Sequence, residues 1–419
     1  MTTASLQPEE RRLIQFTEIE SLAMFWLVSF ALYSVMIVNH THIETNDHVK
    51  FAGGLELFAR LAASGVAGLI GIYGCLFNAR VRKAFGYFPC IWLLGILVMH
   101  VVGTYFSPDF NYSVAHLTTV MCVGLFAPTA LAVLGSRQTV NVMVMAMLTT
   151  VVASWILYLF APAYGVMIEI TDSTGASVER MGGTSHPNVL AGTCVLLFVT
   201  LCYLWFERKM GTFVAVPLIL LTVATLFMTG TRVAMISGVV SVLFVYRGFW
   251  LQREILPFTV LLTAVGLAGV GVVLSGGIQS DAATSLTRSG DFDEITSVTG
   301  RSDIWVYVVE LIGERPLQGY GPGTAKTLLD KKGMLLHPHN LLLHMAVNGG
   351  IICAFFALMM LINQFFISLT GKYKLAALIS FVIILNSFTE IPIFDYVPGA
   401  PTIMWMVAIF WPFLDDGTL

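Results

Sequence analysis

Long apolar windows, separated by short polar breaks, run through almost the whole chain. A helix needs about 20 apolar residues to cross the hydrocarbon core of a bilayer. Twelve such windows emerge, the eighth of them short, at 19–38, 51–77, 88–106, 114–135, 139–161, 187–206, 212–229, 233–246, 256–275, 340–367, 375–391 and 400–414. The seventh and eighth are parted only by Gly230-Thr231-Arg232. The pattern is interrupted at length once, between Gly276 and Pro338, and this stretch carries six of the 22 Lys and Arg residues. The chain therefore divides into 1–275 with nine spans, a polar loop at 276–339, and 340–419 with three more. The predicted fold class is an all-α polytopic membrane protein of about 12 transmembrane helices.

The loop has its own organisation. Residues 276–299 are rich in Gly, Ser, Thr and Asp and read as irregular. From Arg301 onward, Ile304, Trp305, Val308, Val309, Leu311 and Ile312 recur at helical spacing, which predicts an amphipathic helix lying on the membrane surface with its apolar face down. Pro316, Gly319, Gly321, Pro322 and Gly323 end that helix in tight turns.

Composition narrows the class further. With 57% hydrophobic and 11% charged residues the chain cannot be a water-soluble globule. Its six cysteines all lie in or at the edges of apolar windows with no CxxC pair, so they read as membrane-buried hydrophobes rather than disulfides or zinc ligands. A net charge of −3 gives no footprint for nucleic acid. The polar first 18 residues and the long first window predict a retained span and no cleaved leader.

Cations set the expected orientation, because positively charged short loops stay on the cytoplasmic side. With both termini inside, Arg11, Arg12, Arg80, Arg82, Lys83, Arg137, Arg208, Lys209, Arg247, Arg253, Lys372 and Lys374 all fall in cytoplasmic segments. Arg288, Arg301, Arg315, Lys326, Lys331 and Lys332 of the long loop then lie outside, where the rule binds a long loop weakly.

Ionisable groups at a membrane edge are costly, so each is a candidate for function. Arg232 stands at the outer end of the seventh or eighth span beside Thr229 and Thr231, where a guanidinium can donate a planar fork to phosphate oxygens. Glu56 and Arg60, spaced i, i+4, are expected to neutralise each other. His337 and His339 flank Pro338, which makes His339 or Asn340 the start of the tenth helix. An imidazole there can serve as a general base or as a phosphate contact. His344 would point away from His339 on an ideal helix, which disfavours zinc. His40, His42 and His48 read as solvated loop residues. In the outer loop 162–186, Ser185 or His186 can cap the sixth span with Pro187 in its first turn, and Glu179 and Arg180 can line the same outer cavity.

The segments GTSHPNVLAG, FMTGTRVAMISG, GRSDIWVYVVELIGERPLQGYGPGT and HPHNLLLHMAVNGG, in that order, resemble the bacterial O-antigen ligase and polymerase superfamily. The matching positions are Arg232, then Arg301 and Trp305 with Pro316, Gly319, Gly321 and Gly323, then His339, Asn340, Leu343 and Gly350. The family pattern often has a small residue after the arginine where this chain has Val233, and its His-Asn pair falls on His339 while His337 precedes it by two.

The resemblance implies a GT-C-like glycosyltransferase of the bacterial inner membrane with a periplasmic active site. It would move an O-antigen glycan from undecaprenyl diphosphate to a hydroxyl of lipid A-core, or extend the glycan as a polymerase. Arg232, Arg288, Arg301, Arg180 and Asn340 would contact the diphosphate or substrate, and His337 or His339 would act as base. The expected chemistry needs no metal or other cofactor and inverts the anomeric carbon. The single polar loop and the lack of a large soluble carboxy-terminal domain favour a ligase within the superfamily. A secondary transporter is the reading from another class, but its coupling charges would sit near mid-membrane rather than at one face.

Overall fold

The computed structural model describes residues 18–40, 55–170, 177–250, 301–334, 337–394, 398–415 and 417. The predicted ninth span at 256–275, Arg288, His42 and His48 lie outside them, as do the side chains of Glu56 and Arg301. The remaining predicted windows each coincide with a helix. In chain order these helices are α1 (Glu18–His40), α2 (Leu55–Phe77), α3 (Ala79–Phe85), α4 (Cys90–Tyr105), α5 (Phe110–Phe160) and α6 (Pro162–Gly165). After a two-stranded antiparallel hairpin, β1 (Val166–Ile170) and β2 (Ser177–Met181), come α7 (Pro187–Phe206), α8 (Thr212–Thr229), α9 (Arg232–Val245) and α10 (Arg247–Trp250). The series closes with α11 (Arg301–Glu314), α12 (Thr324–Asp330), α13 (Leu341–Leu369), α14 (Lys374–Asn386) and α15 (Ala400–Leu414).

Among the described residues six helices are long and apolar enough to cross a membrane, and α3 with α4 forms a seventh candidate bent by 75°. The 51-residue α5 is broken at Gly135, whose φ of 70° and ψ of 170° are not helical, so its two helical parts cover the predicted windows 114–135 and 139–161. α9, α14 and α15 are shorter apolar helices. α15 is buried on nearly every side, as expected of a helix that is apolar all round, and it packs against α1, α5, α7 and α14.

Hydrogen bonds between elements sort the connections into two sets. At one end Asn39 reaches the Pro398 carbonyl, Arg180 the Thr229 carbonyl, Asn188 reaches Glu390, Arg315 the Phe106 carbonyl and Ser113 the Pro322 carbonyl. At the other, Arg80 reaches the Leu414 carbonyl, Ser136 reaches Asp415, Lys374 reaches Glu207 and Arg247 the Leu369 carbonyl. These are the two groups of loops that the apolar pattern assigns to opposite faces. Charged groups accordingly gather at the ends of the bundle, which is not the mid-membrane placement a transporter would need.

Three expectations are corrected. The outer loop 162–186 contains the β hairpin, so the fold is not purely helical. His40 is no solvated loop residue: it is 1% exposed, and its ring nitrogens meet Ser185 at 3.2 Å and Thr193 at 3.0 Å. The face of α11 bearing Ile304, Val308 and Leu311 is covered by protein rather than turned to a membrane surface. It forms a small core with Tyr320, Ala325, Leu329 and Val347, while Val306 and Val309 on the other side are exposed.

That small core is spliced into α13. The helix breaks at Gly350, with φ 79° and ψ 175°, a conformation essentially confined to glycine. The break frees backbone groups that must find partners. The turn after α11 supplies them: Tyr320 and Gly321 donate N–H to the Val347 and Asn348 carbonyls, both at 2.8 Å, and Ile351 donates to the Pro316 carbonyl at 2.7 Å. Gly319 has φ 64°, and a Cβ there would stand 2.6 Å from the Val347 oxygen. The glycine-rich turn is thus an edge that pairs with a broken helix. Gly350→Ala is expected to cost on the order of 2 kcal/mol from backbone strain alone, and its added carbon would also clash with the Leu317 and Pro316 backbone, which raises the cost further. Gly333→Ala, at φ 66° with open space around it, should cost about 1 kcal/mol. Melting of the two variants in detergent checks the order; equal losses would dissolve the splice argument.

Candidate active site

The site is built from four connections that meet at one end of the bundle. α8 ends at Gly230, in a left-handed conformation with φ 64°, and Thr231 then starts α9, so Arg232 occupies the first turn of α9. α7 begins with Pro187 in its first turn and His186 as cap, its Nδ1 accepting from the Asn188 N–H at 3.2 Å. Asn340 caps α13, its Oδ1 accepting from the Leu343 N–H at 3.1 Å. The short linker from α14 to α15 carries Glu390.

Arg180, on β2, is the hub. It is only 3% exposed, yet every guanidinium nitrogen donates to a protein acceptor. Nε reaches the Thr229 carbonyl at 2.7 Å, Nη1 the Glu169 carboxylate at 2.5 Å, and Nη2 both Asn188 Oδ1 at 2.7 Å and Thr231 Oγ at 3.0 Å. The Thr229 carbonyl belongs to the last turn of α8, where a cation also meets the negative end of the helix dipole. Glu179, expected to line the same cavity as Arg180, is exposed, and the carboxylate that pairs with Arg180 is Glu169 across the hairpin.

From Arg180 the network runs on to the histidines. Asn188 accepts from Arg180 and from Thr231 Oγ, and its Nδ2 donates to Glu390 Oε1 at 3.3 Å. The other carboxylate oxygen, Oε2, lies 3.2 Å from His339 Nδ1. A carboxylate only accepts, so Nδ1 carries the proton and Nε2 is left as the basic nitrogen. His339 itself is held at φ 49°, an uncommon conformation for a residue other than glycine. The His337 ring stands edge-on to it, 5.8 Å between centroids.

α11 joins the same place. Trp305 Nε1 donates to the Pro338 carbonyl at 2.8 Å, between the two histidines. Arg301 opens α11 one turn before Trp305. Beyond α11, Tyr320 donates to Glu314 and lies under the Arg315 guanidinium, 4.5 Å from its ring centroid. Burial and the bond to Glu314 push the Tyr320 phenol up to about 12. It stays protonated and structural.

Of the residues selected from sequence, Arg180, Arg232, His337, His339 and Asn340 come together at this end, joined by the backbone of Arg301. Asn340 is already committed, with Oδ1 on the Leu343 N–H and Nδ2 on the Phe388 carbonyl at 3.2 Å. Sequence reasoning missed Glu169, Asn188 and Glu390. Glu390 carried a usable signal as an acidic residue at the outer end of an apolar window. Asn188 is hidden as an ordinary second residue of a helix.

Residues 217–358 match a family model described as O-antigen ligase. That segment belongs to the O-antigen ligase superfamily. Members of the superfamily are glycosyltransferase-like enzymes. The match spans Arg232, Arg301, the glycine turn spliced to Gly350, and the pair His339 and Asn340. Arg180, Asn188 and Glu390, which are hydrogen-bonded to one another or to Thr231 and His339 of that segment, come from outside it. Among curated proteins none matches the chain.

Proposed function

We propose that the protein is an O-antigen ligase, transferring a glycan from undecaprenyl diphosphate to a sugar hydroxyl of lipid A-core. The observation that carries this reading is the His339–Glu390 pair, linked through Asn188 to Thr231 at the start of α9 and met by Trp305 of α11, in an apolar bundle whose residues 217–358 match the O-antigen ligase family. A diphosphate is a ready leaving group, so the enzyme must neutralise its developing charge and remove one proton from the acceptor. His339 Nε2 takes the proton of the acceptor hydroxyl while Glu390 steadies the imidazolium that forms. The acceptor oxygen bonds to the anomeric carbon as the bond to the phosphate oxygen breaks, in line, which inverts that carbon. Undecaprenyl diphosphate leaves with both electrons of the broken bond, held by Arg232, Arg301 and Arg288. Arg180 belongs to the scaffold, because its donors are already engaged.

Orientation follows from charge. The end opposite the site carries Arg80, Arg82, Lys83, Arg137, Arg208, Lys209, Arg247, Lys372 and Lys374, which supports a cytoplasmic placement by the positive-inside tendency. The site then opens to the periplasm, where lipid-linked glycan and lipid A-core meet. The test is transfer by purified protein in detergent, with lipid-linked O-antigen and lipid A-core, followed by glycolipid mobility. Arg232→Ala and Arg301→Ala should each slow transfer about 10²-fold, and EDTA should leave the rate unchanged. Full activity in both variants would remove the diphosphate clamp. Sensitivity to EDTA would remove the metal-free step, and glycan lengthening on the carrier would make the enzyme a polymerase.

A further inference from the structure

Beneath the dyad, α13 turns His344 toward the linker that carries Glu390. His344 is fully buried, and its Nε2 lies 3.1 Å from the Phe394 carbonyl oxygen and 2.8 Å from the side-chain amide of Asn348. Phe394 is itself unusual. It is 1% exposed, has φ 58°, and stands edge-on between His100 and Trp405, with ring centroids 6.0 and 5.6 Å away. A bulky side chain at positive φ persists only where its surroundings over-determine it.

The other end of the linker is pinned by the same helix. Leu341 N–H donates to the Ser387 carbonyl at 3.0 Å, and Asn340 Nδ2 donates to the Phe388 carbonyl. Glu390 sits between these pins and the one at Phe394, on backbone that makes only a short turn, its N–H on the Asn386 carbonyl at 2.8 Å. The carboxylate that faces His339 therefore owes its place to two attachments of the linker, one at each side.

We propose that His344 is a positioning residue for the transfer reaction: by donating Nε2–H to the Phe394 carbonyl it fixes the linker so that Glu390 meets His339 Nδ1. The proposal rests on the reading of His339 as the base. One nitrogen cannot both donate to Phe394 and accept from Asn348, so the protonated Nε2 requires the Asn348 amide oxygen to face the ring.

The test compares His344→Phe, which keeps a ring and loses the donor, with His344→Gln, which restores an N–H at about the reach of Nε2. Steady-state transfer is measured with undecaprenyl-diphosphate-linked glycan and lipid A-core as substrates. His344→Phe should lower kcat about 10- to 100-fold, the scale of a misplaced reacting group, with the donor KM within twofold. His344→Gln should recover most of that loss. Added to Glu390→Gln, His344→Phe should cause little further loss, because both act on one contact. If His344→Phe does not purify as a monodisperse protein, His344→Met takes its place under the same expectations. A full kcat in the apolar variant, failure of the glutamine to rescue, or losses that multiply with Glu390→Gln would each overturn the positioning role. His339→Ala is run alongside: an inactive His339→Ala with an unaffected His344→Phe removes this inference alone, whereas an active His339→Ala removes the base assignment beneath it.

Discussion

Replacing His339 with alanine is expected to reduce transfer by about 10²- to 10⁴-fold, the range that a positioned general base contributes, and to leave the fold intact. The side chain is 12% exposed and paired with Glu390, itself 20% exposed. Removing the ring strands no deeply buried group. Glu390→Gln should lose nearly as much for a different reason. A glutamine amide can present an N–H to Nδ1, which drives the proton to Nε2 and leaves no lone pair facing the acceptor. His337→Ala should lose less, because its ring packs edge-on against His339 and its removal leaves the His339–Glu390 contact in place. Single-turnover transfer, with the amount of monodisperse protein as the control for folding, decides among these. If His339→Ala kept more than a tenth of the wild-type rate while Glu390→Gln lost more, the carboxylate rather than the imidazole would be the group that handles the proton.

How far the sequence leads depends on the range of the interaction. Helices were legible because their signal is local: apolar windows, the proline at the start of α7, the His186 cap and the Asn340 cap all lie within a few residues of what they determine. The break in α5 at Gly135 was legible for the same reason, as a gap between two windows. Burial by distant partners was not. His40 looks like a loop histidine until Ser185 and Thr193 arrive from 145 and 153 residues away. The period of α11 picked out Ile304, Val308 and Leu311, which are buried, but also Val309, which is exposed, and it could not say what covers the face, since an amphipathic stripe fits a bilayer surface and a protein groove equally. The hairpin was lost because two five-residue strands carry too little alternation to register.

The candidate site divides along the same line. Arg232, Arg301, His339 and the glycine turn stand in compact motifs, so they could be found in the chain. Asn188 and Glu390 are 202 residues apart and acquire meaning only as consecutive links between Arg180 and His339. The glycines also change character once placed. Pro316, Gly319 and Gly321 read as tight turns that end α11, whereas the Pro316 carbonyl and the Tyr320 and Gly321 N–H groups are spent on the α13 break. Chemistry at this end is therefore left to side chains, and the glycine turn supplies the rigidity that holds α11 against the histidines.

Arg180→Ala is the second large effect, and it separates a scaffold from a substrate contact. The loss leaves the Thr229 carbonyl and Asn188 Oδ1 with reduced satisfaction in a buried place, at about 1–3 kcal/mol for each unsatisfied group. Glu169 is 37% exposed and can turn to water, so it adds little. The expected total is roughly 3 kcal/mol of stability, visible as a large drop in melting temperature in detergent. Asn188 then loses the donor that orients it, and Glu390 loses its fixed approach to His339. As a result, kcat should fall while the donor KM stays close to wild type. Arg180→Lys should rescue little, because one ammonium cannot reach acceptors spread over the hairpin, α7 and the end of α8 in the fork that a guanidinium spans. A diphosphate contact would behave in the opposite way: melting would be unchanged and the donor KM would rise. That outcome would return Arg180 to the group of arginines that hold the leaving group, and Glu169 would then be the residue that keeps it in place between turnovers.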